Sequence, residues 1–458
     1  MPSFEELHAR HLADVRAFTP RAVARLEWNR EQVEAEQTRM LRRMVAYVQE
    51  KSPYLASRIG HLEAATLELS DLAKIPVLTK ADVMDNWDQL VTDPRLKLAD
   101  MNAHLHAMVA GEKTNPYYLD EFYPCASGGT SGRRGLYIWD WETFTVTSNL
   151  AYRIRHRQDR QYPPPAPRRL AVVCAGSLVH ASRLVFPVTL DPEREVRVWG
   201  ADEPMDRIVA EINQFQPDRL VGYATLVHEL ADRTLEGECT IRPNWIMTNS
   251  EPLEGEARHA AREAWGADIH NSWGSVEVGL GGMEAHPGAG ITVSEDYLIA
   301  EPIGPDGKPV PDGEAADRVI MTKLFGWTLP ILRYEMTDSL VFDREPNPDF
   351  PAYRRISEVK GRADTKLLYG EVRIHPMVFR SVLGQVPAIS EYQVQQTDRG
   401  ARILVITHHA LDSAAVARRQ EDALRAAGLP DPEVTLEKVT ELPRHPETNK
   451  LKRFVPLT

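Results

Sequence analysis

Ser127-Gly128-Gly129-Thr130-Ser131-Gly132-Arg133-Arg134 is the stretch on which the fold turns. Glycine lets a backbone approach an anion closely, hydroxyls add donors and arginine adds charge, so these residues suit the wrapping of phosphate oxygens. The GxxxxGK[ST] spacing of a P-loop NTPase is missing. Taken alone, the segment is equally an ordinary flexible turn. Its weight comes from the order of the segments downstream of it. Ser250-Glu251-Pro252 comes after one expected strand and Trp273-Gly274-Ser275-Val276-Glu277 after another. Leu332-Arg333-Tyr334-Glu335-Met336-Thr337-Asp338 is next, then Gly361-Arg362-Ala363-Asp364, and last Pro443 through Thr448-Asn449-Lys450-Leu451-Lys452-Arg453.

The chain around these segments has 458 residues, enough for two or three domains with real cores. Lys and Arg number 54 against 66 Asp and Glu, a net charge of -12 that repels phosphate backbones and anionic lipid. Nucleic acid and membrane surfaces are therefore not expected as partners. With 43% hydrophobic residues, 27 Gly and 33 Pro, the composition is that of a folded chain. Three cysteines, Cys125, Cys174 and Cys239, lack C-x-x-C spacing, which fits a reducing compartment and cannot build a zinc cage. Glu5, Glu6, His8 and Arg10 exclude a signal peptide at the start, and no stretch approaches the ~18 apolar residues of a membrane span. The expectation is a soluble, cytoplasmic protein.

Leu41, Met44, Val45 and Val48 repeat at helical spacing, predicting one amphipathic helix from about Arg30 to Ile59. Ile75 to Asp82 reads as a loop followed by a Thr-x-Asp helix start. From Cys125 onward, Gly135–Trp139, Leu170–Ala175, Arg219–Tyr223, Trp245–Thr248 and Asp268–Ser272 read as strands alternating with helices, which suits βαβ units. Between them, Tyr162 to Pro167 reads as a stiff spacer rather than a PxxP docking site. Arg153, Arg155, Arg157 and Arg160 read as a solvated helix face. After His286, Asp306-Gly307 and Asp312-Gly313 suggest antiparallel hairpins. The last 94 residues have their own order: strand, helix from Pro376, strands at Tyr392–Gln396 and Ile403–Thr407, a helix from Ser413 to Ala427 stopped by Gly428, and a strand near Val434.

The succession of motifs resembles the adenylate-forming superfamily of acyl-CoA synthetases, luciferases and peptide-synthetase adenylation domains. Within it, the likeness is to the phenylacetate-CoA ligase branch, which shares an SPYL-type helix end (Ser52 to Leu55), an IPVLTK segment (Ile75 to Lys80) and a stretch like Glu295 to Leu324. The resemblance spans nearly the whole chain. It implies an α/β fold: a large N-terminal domain of mixed sheets covered by helices, residues 1–363, and a small mobile α+β C-terminal domain, residues 364–458.

Roles are carried over position by position from that resemblance. Ser127, Gly129, Thr130, Ser131 and Gly132 match the loop that holds the β and γ phosphates of ATP, with Arg133 and Arg134 replacing its usual lysine and proline. Ser250, Glu251 and Pro252 look like the lining of the adenine edge. Trp273, with Gly274 beside it, takes the place of the adenine-stacking tyrosine. Asp338 matches the aspartate that takes both ribose hydroxyls, with Arg333 and Arg362 near the nucleotide. Glu277 matches the carboxylate that reaches Mg²⁺, and Val276 departs from the hydroxyl residue usual before it. Asp364 falls on the hinge of domain rotation. Lys450 matches the lysine that bonds to the carboxylate and the α-phosphate; Arg453 at the family spacing selects it over Lys452, and Asn449 stands where glycine is frequent. The acid pocket is expected from Tyr223, Ser272, Ser275, Val276 and Gly279.

The implied reaction is ATP-dependent conversion of a carboxylic acid, aromatic by analogy with the branch, to its acyl-AMP, followed by transfer to coenzyme A. Positioning, Mg²⁺ and lysine suffice for attack of one anion on another, so no enzyme nucleophile is needed. Cys125 is then a small buried residue. Relatives with the same motifs activate nitrite to diazotise an aryl amine, ligate amines or load a carrier protein; a further alternative is a member that binds nucleotide or acid without turnover. Met283-Glu284-Ala285-His286 offers one histidine and no cysteine, so no zinc is expected. His408-His409 reads as an exposed pair, and a homodimer is the expectation of the branch.

Overall fold

The computed structural model describes residues 3–126, 135–161, 164, 166–201, 203–362, 367–370, 372–374, 377–383, 386, 388–407, 410–444 and 451–457. Near-continuous apolar runs dictate its centre. Arg169–Cys174 (β1), Glu195–Gly200 (β2), Arg219–Tyr223 (β3), Trp245–Asn249 (β4) and Ile269–Ser275 (β5) pair in parallel in the order β5-β4-β3-β1-β2. Every residue of β3 and β4 is buried, as expected where crossover helices cover both faces. Gly279–Glu284 (β6), Ile291–Val293 (β7), Asp338–Phe342 (β8) and Arg355–Arg362 (β9) extend this sheet antiparallel beyond β5, giving nine strands in the order β8-β9-β7-β6-β5-β4-β3-β1-β2. A three-stranded sheet, Leu298–Ile303, Arg318–Lys323 and Tyr334–Met336, completes the large body with the hairpin of Tyr123–Ala126 and Leu136–Trp139.

The predicted helix from Arg30 to Ile59 is two helices, Arg30–Lys51 and Pro53–Ile59. Proline lacks the N–H that an uninterrupted helix needs at residue 53, and Ser52 caps the second helix by accepting from the Leu55 N–H. Thr79 starts the helix Lys80–Asp85 with a capping box to Asp82. Asp306-Gly307 makes a tight antiparallel turn, with Ile303 opposite Pro309 and the Gly304 N–H donating to the Lys308 carbonyl at 2.8 Å, whereas Asp312-Gly313 turns the chain alongside β8, the Gly313 N–H donating to the Phe342 carbonyl at 2.7 Å.

The arginine run on the helix Trp141–Gln161 is not wholly solvated. Arg153 is buried and makes a bidentate pair with Asp296 at 2.6 and 2.7 Å, joining this helix to the turn after β7. Its neighbour Glu295 binds Arg30 and Arg354, each at 2.9 Å, so one acidic turn ties the N-terminal helices to the sheets. Buried pairs of this kind cost dearly when one partner is lost.

A second core sits beyond Leu367. Leu367, Ile374, Phe379, Val394, Ile403, Val405, Leu424 and Phe454 pack together apart from the main core. They come from a four-stranded sheet in the order Glu433–Lys438, Gly400–Thr407, Ile389–Thr397, Phe454–Val455, and from the helices Met377–Leu383 and Ser413–Ala426. Gly428, at φ +94°, comes after the second of these helices, where a left-handed residue ends the turn. Among the described residues, no helix is long and apolar enough to cross a membrane.

Candidate active site

Parallel pairing carries three sequence-predicted segments to one edge. Tyr223 ends β3 opposite Asn249, which ends β4, and β5 runs alongside to Ser275. In open α/β sheets the carboxyl ends of the strands are where ligands bind. Ser250 leaves β4 in the left-handed region, φ +64°, with its Oγ donating to Asn249 Oδ1 at 2.9 Å. Such strain in a residue with a side chain clusters at functional sites.

The turn after β5 is tightly built. Trp273 is buried, and a Cβ on Gly281 would come within 2.4 Å of its ring, so only glycine admits the indole there. The Trp273 Nε1 is buried with no hydrogen-bond partner among the described residues. Gly279 turns at φ +77°, and a Cβ there would meet Thr147 Oγ1 at 2.5 Å, pressing the turn against the helix Trp141–Gln161. Ser272 donates to the Thr248 carbonyl at 2.8 Å, so its hydroxyl serves the sheet. The Val276 carbonyl accepts from Trp139 Nε1 at 2.9 Å, and the Ser275 hydroxyl accepts from the Val278 N–H at 3.4 Å.

Glu277 meets a group that the sequence did not single out. Burial, and next the Glu277 charge, push the Tyr137 phenol pKa up, and its hydroxyl lies 2.9 Å from that of Tyr334. Lys323 is a second such group, with its side chain buried at the end of a strand of the three-stranded sheet. Burial lowers its pKa to about 8, with Asp140, Glu142, Cys125 and Glu277 opposing the shift through space. A terminal lysine after an apolar strand reads as a surface residue, which is why the pattern concealed it. Among the described residues, no group of three or more His, Cys, Asp or Glu could hold a metal ion.

Asp338 begins β8 directly opposite Arg362, so the two predicted nucleotide residues share one register position. Three other predicted residues are committed elsewhere. Arg333, at φ +47°, bonds Glu301 at 2.9 Å and the Ile75 carbonyl at 2.7 Å; its guanidinium braces the IPVLTK segment rather than a nucleotide. The Tyr223 hydroxyl accepts from the Ala175 N–H at 3.0 Å and lies 3.2 Å from Ser182 Oγ inside the core. The Glu251 carboxylate accepts from the Thr225 N–H and Oγ1, at 3.0 and 2.9 Å, and from the Leu451 N–H at 3.1 Å. Ser127, Gly129, Thr130, Ser131, Gly132, Arg133, Asp364, His408, His409 and Lys450 lie outside the described residues, as do the side chain of Arg362 and much of the proline-rich spacer. The flanks of the phosphate-loop candidate are described: Ala126 pairs with Leu136 at the end of a hairpin.

The chain matches no protein-family model. Protein CapK of Staphylococcus aureus is 20% identical over 319 residues, covering 65% of this chain; the chain spans 61% of that relative's length. Among solved structures, 2-hydroxyisobutyryl-CoA ligase in the postadenylation state superposes with a TM-score of 0.74 at 16% identity, covering 94% of this chain and 91% of that one. The same ligase scores 0.60 in an open conformation and 0.57 in the thioesterification state, over equal coverage. An ATP-bound chimera of MatB and BclM scores 0.50 at 17% identity over 71% of this chain and 65% of its own. The chain has the fold of the adenylate-forming CoA ligases.

Proposed function

We propose that this protein activates a carboxylic acid with ATP as its acyl-AMP, releasing pyrophosphate, and passes the acyl group to coenzyme A. The reading rests above all on one observation: the Ser250, Trp273 and Glu277 segments leave neighbouring parallel strands at the same edge, and Leu451 is bonded there to Glu251. In this reading Ser250 and Pro252 line the adenine through their backbone, Trp273 flanks it, and Asp338 accepts from the ribose hydroxyls. The loop from Ser127 to Arg133 cradles the phosphates. Asp364 is the hinge that divides residues 1–363 from 364–458.

Glu277 would hold Mg²⁺, which neutralises phosphate charge when bound. A single carboxylate suits a cation that keeps several waters and takes phosphate oxygens for the rest. Lys450 bridges the acid carboxylate and the α-phosphate, countering the repulsion between two anions as the new bond forms. The branch favours an aromatic acid, in a pocket fed by Ser275, Val276, Gly279 and the helix from Trp141.

The test is release of AMP and pyrophosphate by purified protein across aryl and alkyl carboxylic acids and nitrite, with and without coenzyme A. Thioester formation with an acid supports the ligase. Release with nitrite, or with an acid but indifferent to coenzyme A, moves the function to diazotisation, amide ligation or carrier loading. Lys450→Ala should slow adenylation by about 10²–10³-fold and spare thioester formation from supplied acyl-AMP. Equal loss in both halves refutes the role of Lys450.

A further inference from the structure

We infer that Glu251 is a positioning residue: a latch that holds the C-terminal unit in the adenylating arrangement by gripping the backbone just after Lys450. The inference rests on the proposed reaction for its kinetic consequence, but its geometry stands apart from it. One carboxylate oxygen accepts from both the N–H and the hydroxyl of Thr225, at the start of the helix Ala224–Leu235. The other accepts from the Leu451 N–H across the junction. Arg444 Nη1 donates to the same Thr225 hydroxyl at 3.1 Å, and Arg444 and Leu451 face each other in a bridge pair. Arg444 and Leu451 are therefore both tied to one Thr225–Glu251 pair on the large body.

Sequence position alone gives Glu251 to the adenine edge, but its carboxylate is already occupied by donors on both sides of the junction. A carboxylate carrying charge-assisted hydrogen bonds makes a stronger tie than a neutral acceptor. The tie is also reversible, since each donor can turn to water. The arrangement it secures superposes on the postadenylation state of 2-hydroxyisobutyryl-CoA ligase with a TM-score of 0.74 and on its thioesterification state with one of 0.57. The latch must open when the C-terminal unit leaves that arrangement.

Two readouts test this. In the first, Glu251→Ala should lower kcat for adenylation about tenfold, the size expected from losing a hydrogen bond to a charged group, with the KM for ATP held within about twofold. Thioester formation from supplied acyl-AMP should be unchanged or faster. Thr225→Val, which keeps Glu251 but removes the shared hydroxyl, should act in the same direction by about threefold. In the second, hydrogen exchange in the peptide spanning Leu451 should quicken about tenfold in Glu251→Ala, with exchange in the large sheet unchanged. A raised KM for ATP with kcat preserved would return Glu251 to adenine binding. Equal loss in both half-reactions, or unaltered exchange at Leu451, would overturn the latch. If the unmodified protein activates no acid, the proposed reaction fails while the exchange measurement still decides the latch.

Discussion

The two cores differ in where they hold charge. The large body has exposed ion pairs such as Arg30–Glu34 but also places one in its interior: the side chains of Arg153 and Asp296 are 2% and 0% exposed. In the C-terminal unit, Arg399–Glu433, with side chains 61% and 66% exposed, and Arg402–Glu437 lie at the rim of its sheet. Its more buried charges gather at the junction, where Glu391 lies 3.5 Å from Arg453 and 3.9 Å from Arg444. An interior pair fixes one arrangement because breaking it strands a charge; a rim pair contributes little. The interior pair thus fixes the large body in one arrangement, while the small unit folds around its own apolar centre and gathers its more buried charges at the junction.

The strongest way to break this contrast is Asp296→Ala. It leaves the Arg153 guanidinium buried without its bidentate partner and removes one of the ties among the N-terminal helices. A loss of about 3–5 kcal/mol is expected in denaturant titration. Glu433→Ala in the small unit should cost less than about 1 kcal/mol. Comparable losses at both positions would erase the distinction.

That distinction was partly legible in the sequence. Strands such as Arg219–Tyr223 announced themselves because burial on both faces demands uninterrupted apolar runs. The small unit was legible through its turn residues, including Gly428. Arg153 was not, because a run of arginines at alternate positions looks solvated until the fold brings Asp296 from 143 residues away. Tyr137, Lys323 and the bonds of Glu251 were hidden for the same reason: each role depends on a neighbour remote in the chain. Arg333 shows the converse, since a motif arginine can serve its own scaffold, here Glu301 and the Ile75 carbonyl.

A second contrast is in pH response. His11, buried against Phe144 with Nδ1 2.8 Å from the Tyr117 hydroxyl, has its pKa lowered to about 3, chiefly by burial and then by His8 and Arg10. Folded protein keeps this ring neutral, while the unfolded chain takes up a proton below about pH 6.5. Stability of the large body should therefore fall on acidification from about pH 6.5 towards 3, by up to about 1.4 kcal/mol per pH unit. His11→Phe should flatten that part of the curve. A slope indifferent to the substitution would assign the acid response to other groups, His270 among them, whose pKa burial lowers to about 4.

The junction should answer pH in the other direction, and more weakly. Burial raises the Glu391 pKa to about 7, against the opposing pull of Arg453 and Arg444; Glu251 and Glu229 add to the rise. Glu254, Glu256 and His228 line the same cleft between the two units. A carboxyl that regains an ordinary pKa on leaving the junction binds its proton more tightly when docked. The Glu391 contribution to docking is then greatest below about pH 4.5 and is lost as pH rises to 7, by less than the 1.4 kcal/mol per pH unit that one full proton would give. Hydrogen exchange in the peptide spanning Leu451, corrected for the intrinsic pH dependence of exchange, should lose protection across that window. Glu391→Gln stays neutral throughout and should abolish the slope while leaving the His11 response of the large body intact. Were Glu391→Gln to alter both responses, the two units would share one titration, and the separation drawn from their cores would not hold.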